Sequence, residues 1–245
     1  MTHEYSRTER ILGKEGMERL YGASVIVFGV GGVGSHCIEA LARSGIGKLT
    51  LVDSDKVNLT NINRQAVAFH STIGRFKTEV MKEMIQDICP SIKVQTYETF
   101  VLPDNIAQFF EERYDYIVDA IDTVTAKLAL VQAARQYGIP IISSMGTGNK
   151  LHPELFEITD LSKTSMCPLC KVMRKELKSR GIFHLKVLYS PEKPIPIYDG
   201  NDKEKEKADP TERKRSVPGS VSFVPPAAGL LIAGEVVRNL SQVGE

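Results

Sequence analysis

The sequence predicts an α/β protein with a Rossmann-like, doubly wound and mostly parallel sheet, helices on both faces and a smaller C-terminal extension. Two observations carry this prediction. Short apolar runs that suit buried strands alternate with stretches of helical periodicity through residues 23–144. A run of glycines separates the first strand from the first crossover helix, as in nucleotide-binding βαβ units. We expect an N-terminal helix over 1–22, a nucleotide-binding domain over 23–165 and a C-terminal segment over 166–245.

The first βαβ unit carries the glycine fingerprint. Ser24–Phe28 is apolar and rich in β-branched residues, and GVGGVG follows it directly at 29–34. A helix is predicted over His36–Arg43, and a second strand over Leu49–Val52 ends at Asp53. The glycines would let the backbone approach a phosphate at the helix N-terminus, and Asp53 would hold a ribose hydroxyl. The alternative is a glycine-rich turn that serves only helix–sheet packing.

The remaining elements follow in chain order. An amphipathic helix is predicted over Glu4–Leu20. The spacing alone places its arginines, Arg10 among them, on the solvent-exposed face. Further strands are predicted over Val94–Thr96, Tyr116–Ala120, Ile139–Ser143, Phe156–Asp160 and Ser220–Val224, and an extended stretch over Tyr189–Pro196. Further helices are predicted over Thr78–Ile88, Asp104–Arg113, Val124–Tyr137, Lys171–Ser179 and Pro226–Leu240.

The bulk composition limits the function classes. The chain has 245 residues with 31 basic and 30 acidic side chains, so its net charge of +1 gives no argument for nucleic-acid binding. We see no signal peptide and no apolar run long enough to cross a membrane, and four cysteines in a chain of this length do not indicate a disulfide framework. The cytoplasm is therefore the expected compartment.

Polar residues follow the second strand and precede the next helix. The loop 56–65, KVNLTNINRQ, should line the pocket, because ligands of open parallel sheets bind beyond the carboxyl ends of the strands. Arg64 could clamp phosphates with its rigid fork, or the loop could be an asparagine-rich helix cap on the surface. Lys77 begins a helix, where a cation opposes the helix dipole, and this broken rule makes it a functional candidate.

Carboxylates end the fourth strand. Asp119 and Asp122 lie in VDAIDT at a carboxyl strand end, where one or two carboxylate oxygens suit Mg²⁺. The equally weighted alternative makes Asp119 structural and lets Asp122 and Thr123 cap the following helix. A glycine-containing loop, Met145–Asn149, is expected on the same rim.

Two features of the C-terminal segment stay open. Cys167 and Cys170 form a single CxxC, for which a zinc site, a redox pair and a spectator hairpin are the alternatives. The almost wholly polar loop 199–216 is expected to be mobile, and its basic cluster Arg213–Arg215 is either solvated or in contact with an RNA backbone.

The combined motifs resemble those of the adenylyltransferases related to the ubiquitin-activating enzymes, which include thiamine and molybdopterin biosynthesis members. The matching strings are GVGGVGS, LVDSDKVNLTNINRQ, Gly74 to Lys77, and VDAIDT, in that order. RILGKEG, LPDNIAQ, ITDLSKT and GSVSFVPPAAG are most similar to the tRNA threonylcarbamoyladenosine dehydratase branch.

The resemblance implies ATP and Mg²⁺ as the ligands. Gly32 then lies against the phosphates, Asp53 holds the ribose, and Asp122 matches the family's Mg²⁺-binding aspartate. Arg10 matches an N-terminal arginine that family homodimers insert into the partner subunit's ATP site. The residues expected to act in catalysis are Arg10, Arg64, Lys77 and Asp122. Those expected to bind ATP are Gly29, Gly31, Gly32, Gly34, Asp53, Asp55, Asn61, Arg64, Gln65, Lys77, Asp122 and Thr123.

The resemblance also implies a reaction, the ATP-dependent dehydration of threonylcarbamoyladenosine in tRNA through an adenylated carboxylate. The alternative is adenylation of the C-terminal carboxylate of a ubiquitin-like or sulfur-carrier protein, and an oxidoreductase or nucleotide sensor is a third. The single CxxC, where such activators often carry two, favours the tRNA branch. Arg174, Lys175 and Arg213–Arg215 are candidate RNA contacts, and sulfur-transfer partner proteins stay open.

Overall fold

A computed structural model describes residues 2–197 and 218–243, and seven strands of this part of the chain form one sheet. The strands are β1 (Ser24–Phe28), β2 (Lys48–Val52), β3 (Lys93–Tyr97), β4 (Tyr116–Asp119), β5 (Ile141–Ser144), β6 (Glu157–Asp160) and β7 (Lys186–Tyr189). The helices are α1 (Ser6–Gly22), α2 (Gly34–Ser44), α3 (Lys77–Ile88), α4 (Val124–Tyr137), α5 (Pro168–Ser179) and α6 (Val224–Ser241).

The strand order places a ligand crevice at one edge of the sheet. The order is β3-β2-β1-β4-β5-β7-β6, and every pairing is parallel except that of β6 with β7. The chain winds outward from β1 in one direction and from β4 in the other, so the order reverses between these two strands. Ligands bind at such a switch point, beyond the carboxyl ends of the strands. The predicted α/β class with a doubly wound, mostly parallel sheet is confirmed.

The C-terminal segment completes this sheet. Strand β7 was not predicted from the sequence, yet it pairs with β5 on one side and β6 on the other. Helix α6 packs across α2 so closely that a Cβ on Gly229 would lie 2.3 Å from the carbonyl oxygen of Val33. The predicted smaller extension therefore shares the main core.

Two predicted elements are wrong. Asp104–Arg113 forms only a short 3₁₀ helix at Ile106–Phe110, preceded by a turn. The side chain of Asn105 accepts from the Leu102 amide at 2.9 Å and donates to the Phe100 carbonyl at 2.8 Å, so it stabilises a turn in place of an α-helical start.

The second wrong element is the strand expected over Ser220–Val224. The chain there bends and enters α6 at Val224, and the prolines after Val224 suit the first turn of a helix. The loop 199–216 and its basic cluster lie outside the described residues. In the two described ranges, none of the helices has the length and apolar character needed to cross a bilayer.

Candidate nucleotide-binding site

A cleft of about 460 Å³ opens at the carboxyl ends of β1, β2, β4 and β5. Every residue that the sequence predicted to bind the nucleotide lines this cleft except Gly34. The walls also include Thr99–Val101, the end of β5 with the loop Met145–Gly148, and Pro218–Ser220. The topology therefore brings residues more than 90 positions apart in sequence into one concave site.

The glycine turn after β1 needs glycine for two different reasons. Gly29 has φ of +92°, a conformation that other residues rarely adopt, and its amide donates to the Val52 carbonyl at 2.8 Å. Gly34 begins α2, and a Cβ there would lie 1.8 Å from the carbonyl oxygen of Gly29. Gly34 thus lies behind the cleft wall, where its small size lets the helix approach the strand, whereas Gly31 and Gly32 face the cleft.

Asp53 ties the glycine turn to the end of β2. Its Oδ2 accepts from the Val30 amide at 2.6 Å, and its Oδ1 accepts from the Asp55 amide at 2.7 Å. Burial raises the pKa of Asp53 above its ordinary value, although Lys77 and the two amides oppose this shift. Each carboxylate oxygen keeps a lone pair for a further donor such as a ribose hydroxyl. The bracing of the turn by Asp53 was not predicted from the sequence.

Lys77 places a buried ammonium group on the cleft wall. It is the first residue of α3, only 5% of it is exposed, and its Nζ donates to Asp55 Oδ2 at 2.7 Å. The Asp55 carboxylate is more than half exposed. Because an ammonium has three protons, Lys77 can donate to a ligand while it keeps this ion pair.

The loop before α3 contributes three side chains to the cleft. Asn61 belongs to a 3₁₀ helix, and its Oδ1 accepts from the Asn58 amide at 3.0 Å, so the asparagines cap this short helix, as the alternative reading expected, while Asn61 also lines the cleft. Arg64 Nη1 donates to the Thr60 carbonyl at 2.9 Å, which holds the guanidinium against the same turn. Gln65 is 7% exposed, and its buried Oε1 finds no partner within residues 2–197 and 218–243.

The two aspartates after β4 have different environments. Asp119 is fully buried, its Oδ2 lies 3.0 Å from Lys127 Nζ, and it also accepts from the Ser143 hydroxyl. Asp119 is therefore structural, which the sequence left open. Asp122 is exposed on the cleft wall, where the Thr123 hydroxyl donates to it at 3.3 Å. Thr123 is the N-cap residue of α4, but within the described part of the chain no side chain makes a capping hydrogen bond to this helix.

Lys127 was missed by the sequence reasoning. Its ammonium is 0% exposed and also donates to the Ser144 carbonyl at 2.7 Å, at the start of the loop that lines the cleft. The available signal was a lysine within the apolar stretch of a predicted buried helix, which requires a buried anion as its partner.

Three other predicted residues lie elsewhere. Arg10 is exposed on the first part of α1, before a kink at Gly13, and does not line the cleft of its own chain. Its insertion into a partner's site stays a prediction. Arg174 Nη1 donates to the Thr164 carbonyl at 2.9 Å and so supports a turn, whereas Lys175 is exposed. Counting only the described residues, no group of three or more His, Cys, Asp or Glu side chains is placed to hold a metal ion.

Known proteins share the sequence and the fold of this chain. The tRNA threonylcarbamoyladenosine dehydratase of Bacillus subtilis is 44% identical over 242 residues, which cover 98% of this chain and 95% of that protein. The crystal structure of the Escherichia coli tRNA N6-threonylcarbamoyladenosine dehydratase in complex with ATP superimposes with a TM-score of 0.85 at 33% identity, and covers 98% of this chain and 94% of that one.

A more distant relative belongs to another functional class. The adenylyltransferase and sulfurtransferase UBA4 of Candida glabrata is 29% identical over 170 residues, which cover 67% of this chain and 39% of that protein. The model of the ThiF family matches residues 5–245, nearly the whole chain. The chain therefore belongs to the ThiF family.

Proposed function

We propose that this protein is an ATP-dependent tRNA threonylcarbamoyladenosine dehydratase. The single observation that carries the proposal is the cleft. It joins a phosphate-approaching glycine turn, two basic side chains and an exposed aspartate in a fold that superimposes on an ATP-bound enzyme of that name. The resemblance inferred from the sequence and the similarity to the Bacillus subtilis enzyme support the same assignment. The cytoplasm is the compartment that this function implies.

The chemistry of the cleft suits ATP. Gly31 leaves open space where a side chain would otherwise project, so a phosphate can approach the backbone at the N-terminus of α2. Gln65 Oε1, which has no partner among the described residues, would accept a hydrogen bond from the ligand, and Asp53 retains lone pairs for the ribose. Lys77 and Arg64 supply positive charge for the triphosphate.

The proposed reaction needs charge stabilisation and alignment rather than a protein nucleophile. An oxygen of the threonylcarbamoyl carboxylate attacks the α-phosphorus of ATP, and pyrophosphate leaves. An oxygen within the same group then attacks the activated carboxyl carbon, so the oxazolone ring closes and AMP leaves. The sum is the loss of one water from the nucleoside. Lys77 and Arg64 would stabilise the charge that develops on the phosphates.

Mg²⁺ and the second subunit are further parts of the proposal. Asp122 would hold the metal, since Asp55, the other exposed carboxylate of the cleft, is paired with Lys77, and the ion would neutralise phosphate charge when bound. Arg10, which its own chain leaves at the surface, would enter the cleft of a partner subunit in a homodimer. The exposed Ile11 beside it is 79% accessible, as a residue at a subunit contact would be in a single chain.

The test combines the purified protein with ATP, Mg²⁺ and tRNA that carries threonylcarbamoyladenosine. We expect pyrophosphate release that depends on the tRNA, together with loss of a water mass from the modified nucleoside. Asp122→Ala should abolish turnover with little change in melting temperature. Asp104→Ala is the matched control, because Asp104 is also exposed but lies outside the cleft. Full turnover by Asp122→Ala would refute the assignment of this residue.

The two candidate functions differ in the carboxylic acid that is adenylated, so supplying each acid separately distinguishes them. Pyrophosphate release that requires a carrier protein ending in Gly-Gly, and is indifferent to the tRNA, would support a carrier activator and overturn the dehydratase. Binding of NAD without ATP would instead support an oxidoreductase. Only the distant similarity to UBA4 favours the carrier, so it ranks second.

A further inference from the structure

Three consecutive residues of the C-terminal segment form one wall of the cleft. Pro218–Ser220, here called the strap, line the cleft together with Pro225, which belongs to the first turn of α6. The strap itself is neither helix nor strand. Its place in the wall therefore depends on contacts with other parts of the chain rather than on a ladder of backbone hydrogen bonds.

Asn149 holds the strap from the β5 side of the cleft. Its amide donates to the Gly219 carbonyl at 2.9 Å, and its Oδ1 accepts from the Gly219 amide at 2.7 Å. Asn149 has φ of +58°, a left-handed conformation that asparagine adopts more readily than most residues. Its carbonyl also accepts from the Ile195 amide at 2.8 Å, so Asn149 is itself fixed to a further stretch of the chain.

Asn63 holds the strap from the β2 side of the cleft. Its Nδ2 donates to the Ser220 carbonyl at 3.0 Å, and its Oδ1 accepts from Arg64 Nη1 at 2.8 Å. One side-chain amide therefore links the strap to a guanidinium that lines the cleft. Asn63 and Asn149 lie outside the cleft wall, so both act on the cleft through the residues that they hold.

Close packing places the strap and the start of α6 beside the glycine turn. A Cβ on Gly32 would lie 2.9 Å from Cβ of Pro225 and 3.4 Å from Cγ of Arg64. On the other side of the cleft, a Cβ on Gly148 would lie 2.8 Å from Cβ of Pro218. The strap therefore crosses the end of the cleft at which the glycine turn would receive the phosphates of ATP.

We propose that Asn63 and Asn149 are positioning residues for the adenylation step, because they hold the strap across the phosphate end of the cleft and fix Arg64 to it. This inference rests on the proposed function. Attack of a carboxylate on the α-phosphorus requires both reactants in a fixed geometry, so a displaced wall lowers the rate. Loosening of the strap lowers kcat more than it weakens ATP binding, because Asp53 and Lys77 stay in place.

Aspartate substitution distinguishes the two asparagines, because they hold the strap with different atoms. Asn149→Asp keeps the Oδ1 acceptor and tolerates the positive φ, whereas Asn149→Gly tolerates the φ but removes the acceptor. Asn63→Asp removes the donor to Ser220 and places a carboxylate oxygen against that carbonyl. Asn149→Asp is therefore the matched control for the other two variants.

The first measurement uses neither ATP nor tRNA. Hydrogen–deuterium exchange of a peptide that contains residues 218–223 should be faster in Asn149→Gly and in Asn63→Asp than in the natural protein. Asn149→Asp should exchange at the natural rate, because the Gly219 amide keeps its acceptor. Equal exchange rates in all four proteins would show that the asparagines do not hold the strap and would overturn the proposal.

The second measurement is turnover with ATP, Mg²⁺ and tRNA that carries threonylcarbamoyladenosine. We expect kcat to fall about three- to tenfold in Asn149→Gly and in Asn63→Asp, the effect of one neutral hydrogen bond, with an unchanged melting temperature. Asn149→Gly should keep its KM for ATP, and Asn149→Asp should turn over as the natural protein does.

Two outcomes of the turnover measurement would contradict the positioning role. One is natural turnover in Asn149→Gly and Asn63→Asp, and the other is an equal loss of turnover in Asn149→Asp. If the natural protein leaves this tRNA unchanged, the proposed function fails. The exchange rates then still decide whether Asn63 and Asn149 hold the strap, so the two failures are distinguishable.

Discussion

Replacement of Lys127 by methionine tests the buried ion pair beneath the cleft. The Lys127 ammonium is fully buried and donates to Asp119 Oδ2 at 3.0 Å, to Ser143 Oγ at 3.2 Å and to the Ser144 carbonyl at 2.7 Å. Methionine has a similar length but no donor. Lys127→Met therefore leaves the Asp119 charge buried beside a thioether.

The expected loss of stability is large for one substitution. Removal of one partner of a buried ion pair costs about 3–5 kcal/mol. The unfolding entropy of about 2.1 cal/mol/K per residue gives roughly 0.5 kcal/mol/K for a chain of this length, so the melting temperature should fall by about 6–10 °C. The Ser144 carbonyl also loses its donor, and we expect the loop it begins to become more mobile.

A double-mutant cycle separates the ion pair from a general packing defect. Asp119→Asn removes the buried negative charge, so Asp119→Asn combined with Lys127→Met should cost less than the sum of the single changes, by about 0.5–3 kcal/mol. The measurement is thermal unfolding by calorimetry for the natural sequence, both single variants and the double variant. Additive losses of stability, or a Lys127→Met protein with the melting temperature of the natural protein, would show that the ion pair does not stabilise this region.

Two further predictions test the glycine turn and the attachment of the C-terminal helix. Gly31→Ala should weaken ATP binding at least tenfold in calorimetric titration with an unchanged melting temperature, because its methyl group meets no described atom within 4 Å and projects into the cleft. Gly22→Ala is equally unhindered and should bind ATP normally, and equal affinity of the two variants would contradict a phosphate at the turn. Burial raises the pKa of Glu235, but hydrogen bonds from Lys186 and Arg238 outweigh it, so the pKa is lowered from the ordinary value of a glutamate. Glu235→Gln should therefore unfold at a lower urea concentration than the natural protein at pH 7. The difference between the two urea midpoints should shrink as the pH falls below 4.5, because the glutamate then becomes protonated. A difference that does not depend on pH would contradict the ionic contribution.

The local parts of the fold could be predicted from the sequence. Helix α4 has the predicted bounds Val124–Tyr137, and β1 has the predicted bounds Ser24–Phe28. Apolar periodicity and the glycine string depend only on neighbours in the chain, so they can be read without a fold. Strand β7 could not be found in this way, because its four residues are too few to show a period and its position depends on pairing with β5 and β6.

The candidate site also has residues that could be predicted from the sequence and residues that could not. The residues after β1, β2 and β4 could be predicted because carboxyl ends of parallel strands meet at one edge, whatever the details of packing. Lys127 could not be predicted, because its role comes from the face that α4 turns towards β4 and β5. The bracing of the glycine turn by Asp53 likewise requires the contact between the ends of β1 and β2.

The distribution of partners among the acidic residues of the cleft supports one position for a cation. Three aspartates line the walls, and a triphosphate would be repelled by all of them if they were free. Asp53 accepts from two backbone amides and Asp55 from Lys77, so their charges are already engaged by the protein. Across the described ranges, Asp122 accepts only from the Thr123 hydroxyl, at 3.3 Å. A carboxylate left with most of its lone pairs beside an anionic ligand favours a cation between them, and Asp122 is for this reason the residue that we propose as the Mg²⁺ ligand.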